Sequence, residues 1–178
     1  AGTNAAPNTL TLDGADYIQV SNLTVVASGT NSVIACHLWN VADNNTFTNC
    51  TFNVPIASST ATAAFAISGS SANATASGAA GNNNTVTGCT LNGGGYNFTA
   101  IGNNIPNLAT GNKIVNCTLN DFYVYSIYSQ NQDGLLISGN SIQRLNQTND
   151  AIIEGIHVVQ NNINLLITKN KIGNLFGA

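Results

Sequence analysis

Residues 114–119, with the sequence IVNCTL, carry the pattern that decides the fold. The pattern recurs five more times along the chain, with starts 23 to 39 residues apart. The six copies are residues 20–25 (VSNLTV), 47–52 (FTNCTF), 86–91 (VTGCTL), 114–119 (IVNCTL), 137–142 (ISGNSI) and 167–172 (ITKNKI). Self-similarity at this period is typical of solenoid proteins, in which each repeat stacks on the next.

Each position of the repeat has a constant physical character. The third is mostly Asn or Gly, residues that tolerate positive φ, and the fourth and sixth are predicted to point inward. The pattern predicts a strand, a tight bend and a second strand. We expect left-handed backbone angles at Asn22, Asn49, Gly88, Asn116 and Gly139. We expect two buried columns, formed by Val20, Phe47, Val86, Ile114, Ile137 and Ile167 and by Val25, Phe52, Leu91, Leu119, Ile142 and Ile172.

A second set of strands is predicted between these copies. Each member has two inward positions around an outward one: Cys36-His-Leu38, Phe65-Ala-Ile67, Thr99-Ala-Ile101, Tyr125-Ser-Ile127 and Ile156-His-Val158. Each turn of the chain then contains at least two strands, which form two sides of a coil, and a bend. Coils of this kind, stacked about 4.8 Å apart, make an all-β, right-handed parallel β-helix (a solenoid) of about six coils.

In these repeats the chain resembles the parallel β-helix repeat superfamily, over roughly residues 10–176. That superfamily includes pectate lyases, polygalacturonases, phage tailspikes and large bacterial surface adhesins. The composition is most similar to that of the repeat segments of the adhesins. The resemblance implies a fold and includes no catalytic motif, so it does not by itself imply an activity.

The composition excludes several classes of protein. Only 6% of the residues are charged and the net charge is −3, whereas soluble domains average about 25% charged residues. No basic patch is available to neutralise phosphates, so nucleic acid is excluded as a partner. No apolar run is long enough to span a membrane. The 43% of hydrophobic residues argue against disorder.

The repeats run almost to both ends of the chain, and neither end has an amphipathic helix or a charged segment to cap it, although solenoids need caps. The chain also contains no methionine. We therefore expect residues 1–178 to form a single parallel β-helix domain that is an excerpt of a longer solenoid.

Candidate catalytic groups do not converge in the sequence. The acids lie in connecting segments of different coils: Asp13, Asp16, Asp43, Asp121, Asp133, Asp150 and Glu154. Arg144 has no acidic partner at a defined offset. Paired carboxylates for acid–base chemistry cannot be assembled, so we predict no catalytic residue, no metal and no cofactor. Asp13 and Asp16 flank a glycine and indicate a turn, with a weak Ca²⁺ ligand pair as the alternative.

The two histidines and one polar segment lead to further expectations. His37 and His157 fall at outward positions and are expected on the surface, too far apart to share a metal. Residues 68–84 are rich in Ser, Ala, Gly and Asn and are expected to form a flexible excursion on the outside.

The fourth column of the repeat holds cysteines in three copies: Cys50, Cys89 and Cys117. We expect buried free thiols, with a disulfide between adjacent coils as the alternative. Asn140 and Asn170 continue the column and are expected to form an asparagine ladder.

Exposed aromatic residues are the remaining candidates for a binding site. Trp39, Tyr123 and Tyr128 are predicted to bind a neutral glycan, because aromatic faces on a polar β-helix can stack on sugars. Phe98 and Tyr125 are expected to fill core or loop space instead.

These observations favour a non-enzymatic structural or adhesive segment of a secreted or cell-surface bacterial β-helix protein. Its expected partners are neighbouring repeats of the same chain or of a surface assembly, and a neutral glycan. The alternative is a polysaccharide lyase or hydrolase whose catalytic coils lie outside this segment.

Overall fold

The computed structural model describes residues 7–29, 32–56, 59–148 and 152–176. These residues form twenty strands, numbered here in chain order, and contain no helix. Eighteen of the strands belong to three parallel sheets of six strands each.

Sheet 1 contains the longest strands, which are β1 (Asn8–Asp13), β4 (Ile34–Trp39), β7 (Ala63–Ile67), β10 (Tyr96–Ile101), β14 (Tyr125–Gln130) and β18 (Glu154–Val158). Sheet 2 contains β2 (Gln19–Ser21), β5 (Thr46–Thr48), β8 (Thr85–Thr87), β12 (Lys113–Val115), β16 (Leu136–Ser138) and β19 (Leu166–Thr168). Sheet 3 contains β3 (Thr24–Val26), β6 (Thr51–Asn53), β9 (Thr90–Asn92), β13 (Thr118–Asn120), β17 (Ser141–Gln143) and β20 (Lys171–Ile172). The short strands β11 (Ala109–Thr110) and β15 (Gln132–Asp133) pair with each other.

The chain passes through sheets 1, 2 and 3 in turn and then returns to sheet 1 one strand further along. Each strand is therefore paired with the strands of the preceding and following coils. This is the parallel β-helix that the repeat predicts. The six strands per sheet correspond to five turns from the first strand of a sheet to the last.

The bends between sheets 2 and 3 have the predicted backbone. The values of φ are 56° at Asn22, 53° at Asn49, 63° at Gly88, 54° at Asn116, 70° at Gly139 and 57° at Lys169. A left-handed residue turns the chain within one step, so two short strands can face the same core from different sides.

The two apolar columns of the repeat are in the predicted register. The first runs Val20–Phe47–Val86–Ile114–Ile137–Ile167, and the second runs Val25–Phe52–Leu91–Leu119–Ile142–Ile172. Both columns are buried in the middle coils. Ile167 and Ile172 are each 46% exposed, contrary to expectation, because β19 and β20 are the last strands of their sheets. Leu23, in the first coil, is 41% exposed for the corresponding reason.

The predicted register of sheet 1 is wrong in two strands. The inward column runs Cys36–Phe65–Phe98–Ile127–Ile156, so Phe98 lies in the core as expected. Thr99 and Tyr125, which were predicted to point inward, lie on the outer face of the sheet. The sequence is ambiguous at Thr99 because β10 is buried on both faces, which removes the alternation of apolar and polar residues.

Residues 68–84, which we call the strap, cover the outer face of sheet 1 and are not a loose excursion. Ala74 packs against Ile34, Ala63 and Ala66. The carbonyl oxygen of Ala74 accepts a 2.7 Å hydrogen bond from Oγ1 of Thr99. The strap therefore closes a second, smaller apolar cluster outside the main core.

His37 is buried beneath the strap, which corrects its predicted place on the surface. Its exposed fraction is 0%. Nδ1 lies 3.0 Å from Oδ1 of Asn8, and Nε2 lies 2.7 Å from Oγ of Ser68. Burial lowers the pKa of His37 from 6.5 to about 4, since the charged imidazolium loses its hydration there. The strap thus holds a neutral imidazole.

The cysteines are four buried free thiols, as predicted for the column at Cys50, Cys89 and Cys117. Asn140 and Asn170 continue this column as the expected ladder. The Asn140 side chain donates to Oδ1 of Asn170 at 2.9 Å and to the carbonyl of Ile114 at 3.0 Å.

A second buried amide ladder was not predicted. Asn45, Asn84, Asn112 and Gln132 stack in successive coils at the corner between sheets 1 and 2. Backbone and side-chain bonds of 2.9, 3.0 and 3.0 Å join them in sequence. Among the described residues no buried side-chain nitrogen or oxygen lacks a partner, so these amides are satisfied without charge.

Candidate functional site

Four rings lie together on the outer face of sheet 1, next to the strap, since Tyr96 belongs to the same apolar cluster as Ala74. We call this cluster the aromatic platform; it consists of Tyr96, Tyr125, Tyr128 and His157. The three tyrosine ring centroids lie 5.7 to 6.0 Å from one another. The His157 ring is stacked on Tyr125, with centroids 4.0 Å apart and planes 6° apart. The platform spans three successive coils.

The register of sheet 1 brings the four rings together. Tyr96 is paired with Tyr125, and Tyr128 is paired with His157, so the rings form two neighbouring columns on β10, β14 and β18. Side chains in one column of a parallel sheet are about 4.8 Å apart. The rings within each column are tilted, by 43° and 40°, and the stacked pairs join the two columns: Tyr96 with Tyr128 and Tyr125 with His157.

The platform has an apolar surface and a polar edge. Tyr125, Tyr128 and His157 are partly exposed, while Tyr96 is 8% exposed and supports them from below. Burial raises the pKa of Tyr96 to about 12 and also raises the pKa of Tyr128. Both hydroxyl groups therefore stay neutral near pH 7.

Two polar contacts hold the side chains at the edge of the platform in place. The hydroxyl of Tyr128 donates a 3.2 Å hydrogen bond to Oε1 of Gln130. Nδ1 of His157 lies 2.7 Å from Oε2 of Glu154, and the Glu154 side chain is 43% exposed. These contacts orient the rings before any ligand arrives.

The three predicted binding residues do not form one site. Tyr128 belongs to the platform, and Tyr123 precedes β14 by two residues. Trp39 is at the end of β4, three strands from β14 in the sheet order, which corresponds to about 14 Å. The strap contacts the strands between them. Trp39 is therefore separate from the platform.

Three members of the site were missed at the level of sequence. Tyr125 was assigned to core or loop space, and Tyr96 and His157 were not linked to Tyr128. The sequence does contain a signal for this site: Tyr128 follows Tyr125 at the same spacing at which His157 follows Glu154. It becomes visible once Ile127 is aligned with Ile156.

Arg144 lies in the interior of the protein. It is completely buried, and its guanidinium lies 5.5 Å from the centroid of the Phe122 ring. Nε donates to the carbonyl of Phe122 at 2.8 Å and Nη1 to that of Leu175 at 2.7 Å. Burial lowers its pKa, and the charge of Asp121 acts in the opposite direction. Its guanidinium has no exposed surface for a substrate.

The acids lie mainly at coil corners. Oδ1 of Asp16 accepts the backbone N–H of Asp43 at 2.7 Å, and Oδ1 of Asp43 accepts that of Asn82 at 2.7 Å. Oδ1 of Asp13 accepts a 2.8 Å bond from the Asn40 side chain. Asp150 lies outside the described residues. Within the described ranges no three His, Cys, Asp or Glu side chains are grouped so as to hold a metal ion.

Two shallow clefts flank the strap. The larger, of about 380 Å³, is lined by small and amide residues that include Val41, Asn82 and Asn107. The smaller, of about 310 Å³, lies near Ser32 and Asn73. Neither cleft is lined by a titratable side chain, so neither carries the groups that acid–base chemistry needs.

Comparisons with known proteins give a likeness of fold. No protein-family model and no curated protein matches the chain. Among solved structures, the crystal structure of pectate lyase Pel9A is similar, with a TM-score of 0.43 and 15% sequence identity. The match covers 73% of this chain and 33% of that one, so this chain spans about a third of the length of that structure. Such a likeness does not indicate an activity.

No helix in the described parts of the chain is long and apolar enough to cross a lipid bilayer.

Proposed function

We propose that this chain is a non-enzymatic, glycan-binding segment of a secreted or cell-surface bacterial β-helix protein, and that the aromatic platform is its binding surface. The single observation that supports this most is the set of partly exposed, pre-oriented rings at Tyr125, Tyr128 and His157. Sugar rings have flat C–H faces, and burying such a face on an aromatic ring removes apolar area from water.

The arrangement of the platform suits a glycan chain better than a single sugar. Its rings lie on β10, β14 and β18, which follow one another along the solenoid axis. An extended oligosaccharide along that axis would meet partly exposed rings in two successive coils, on β14 and β18. Because the rings are held by their neighbours and by Gln130 and Glu154, little side-chain freedom is lost on binding.

We further propose that neighbouring coils, of the same chain or of a surface assembly, are partners of this segment, and the last coil supports this. In the last coil Leu166, Ile167 and Ile172 are each about half exposed, at 56%, 46% and 46%. β18, β19 and β20 are edge strands of their sheets. An edge strand with an exposed apolar column is covered in most β-proteins, here by a further coil of the same protein or of a surface assembly.

Calorimetric titration of the chain with cellohexaose and chitin hexamer tests the platform. Binding to at least one of them is expected, and Tyr128→Ala should weaken it about tenfold, which corresponds to about 1.4 kcal/mol. Tyr17→Ala is the matched control, because Tyr17 is a 76% exposed tyrosine away from the platform. Its binding should equal that of the wild type.

Two outcomes would overturn the proposal. Absence of binding to both oligosaccharides, or equal binding by the Tyr128→Ala variant, would remove the platform as a glycan site. Release of shorter products from pectin, alginate or xylan by the purified chain would favour the alternative, a polysaccharide lyase or hydrolase.

A further inference from the structure

The outer face of sheet 1 has an unusual distribution of charge. The chain contains four Lys and Arg residues, and none of them is in a strand of sheet 1. Lys113 is in sheet 2, Lys169 and Lys171 are in the last bend and in β20, and Arg144 is buried. A ligand on the aromatic platform therefore meets no Lys or Arg from the strands beneath it, and the one basic ring of the platform, His157, is paired with Glu154.

Glu154 places a negative charge at the edge of the platform. It is paired with Tyr125 in register, at the start of β18. Its Oε2 contacts His157 at 2.7 Å, while Oε1 accepts no hydrogen bond from the described residues. One carboxylate oxygen beside the stacked rings is therefore available to a donor on a ligand.

The rings leave no room for a small cation between them. Tyr96 and Tyr128 are near-parallel at 22°, and Tyr125 and His157 are near-parallel at 6° with centroids 4.0 Å apart. An aromatic cage for a free ammonium ion needs ring faces that surround a gap. The rings of Tyr125 and Tyr128 are tilted by 46° and form an open surface, which instead suits a ligand that carries its amino group on a sugar ring.

We infer that the aromatic platform prefers glycans whose sugars carry protonated amino groups, such as glucosamine polymers, over neutral glycans, and that it rejects uronic-acid polymers. The sugar packs on the exposed parts of the Tyr125 and Tyr128 rings, and the ammonium group donates to Oε1 of Glu154. This inference rests on the proposed glycan-binding function and adds the chemical class of the ligand.

The test compares three hexamers in calorimetric titrations just below neutral pH, namely glucosamine, N-acetylglucosamine and galacturonate. The glucosamine hexamer is expected to bind about threefold to fivefold more tightly than the acetylated one, the size of effect of one exposed ion pair. The galacturonate hexamer should bind more weakly than both. The preference should shrink as salt is added, because exposed charges are screened.

Glu154→Gln separates charge from stacking. This variant should bind the glucosamine and N-acetylglucosamine hexamers with equal affinity. The ratio of the two affinities is the readout, because Glu154 also contacts the His157 ring of the platform. Asp13→Asn is the matched control, since it removes one negative charge from β1, at the opposite edge of sheet 1 from β18. It should keep the full preference.

The outcomes distinguish this inference from the proposed function. If the acetylated hexamer binds but the glucosamine hexamer binds no more tightly, the inference is wrong and glycan binding stands. If the preference survives in Glu154→Gln, the assigned role of the carboxylate is wrong. If no hexamer binds, the proposed function and the inference fall together.

Discussion

Nε2 of His37 lies 2.7 Å from Oγ of Ser68, and this contact joins the outer face of sheet 1 to the first residue of the strap. On the other side of the ring, Nδ1 contacts the side chain of Asn8 in the preceding coil. A single buried imidazole therefore links the strap to two coils of the solenoid. Its protonation state matters for the stability of the fold.

Acid should weaken the fold through His37. Because burial lowers the pKa of His37 from 6.5 to about 4 in the folded chain, the unfolded chain takes up this proton first as the pH falls. Neutral His37 therefore stabilises the fold fully above about pH 6.5. Between about pH 6.5 and pH 4 the unfolding free energy falls by about 3 kcal/mol in total. Urea unfolding followed by circular dichroism across this range measures it.

His37→Gln is the control for this prediction, because a neutral amide replaces the imidazole. Its unfolding free energy should fall less steeply over the same range, by the amount assigned to His37. The carboxylates titrate in both proteins and cancel in the comparison. Equal slopes for the two proteins would contradict the prediction.

The core columns give a matched pair of substitutions. Ile114 is fully buried and Ile167 is 46% exposed, although both belong to the same column. Ile114→Ala should lower the unfolding free energy by about 2–5 kcal/mol, since it leaves a cavity. Ile167→Ala should cost less than about 1 kcal/mol. Denaturant unfolding measures both, and similar losses would show that the column is misassigned.

The bend at Gly88 requires a residue that tolerates φ of 63°. A Cβ at this position would lie 2.6 Å from Oδ1 of Asn49. Gly88→Val should therefore lower the unfolding free energy by roughly 1–2 kcal/mol. Gly88→Asn should cost clearly less, because Asn49 and Asn116 occupy the same bend position with φ of 53° and 54°.

Gly173→Val controls for a general effect of replacing glycine. Nothing lies within 4 Å of a Cβ built there, so the change should be small. A loss for Gly88→Asn as large as that for Gly88→Val would count against the left-handed bend.

The thiols should resist modification in the folded chain. All four cysteines are buried, so a reagent cannot reach them. Burial also raises the pKa of Cys36, whereas a hydrogen bond with Cys117 lowers the pKa of Cys89 to about 7, so Cys89 is protected by its burial alone. A thiol-specific chromogenic reagent should titrate all four only after denaturation. Thr51→Cys, beside Cys50 but on the outer face, should react at once in the folded protein. Rapid labelling of the wild type would contradict the buried column.

The bends could be predicted from sequence because their chemistry is local. Asn or Gly before an inward residue, with apolar residues at both ends, requires only a backbone preference and one buried face. The pattern at residues 114–119 therefore predicts β12, the bend at Asn116 and β13 correctly. It also predicts the partners of Ile114 in the coils before and after.

Sheet 1 could be predicted less well because its burial depends on a distant segment. The strap covers its outer face, so β7 and β10 are buried on both sides. Alternation of apolar and polar residues then no longer marks the inward face, which explains the wrong register at Thr99 in β10. The same cover buries His37. A strap of small residues gives no signal of where it will pack.

The pairing of each coil only with its two neighbours has a mechanical consequence. Backbone bonds between coils, such as Thr90 N–H to the carbonyl of Cys50, run along the axis of the solenoid. A pull along that axis loads the interfaces between coils in series, so every interface carries the full force. The domain should therefore lengthen under tension by peeling one coil at a time, starting from the half-exposed coil of Ile167 and Ile172. Its tensile strength is that of its weakest interface between coils.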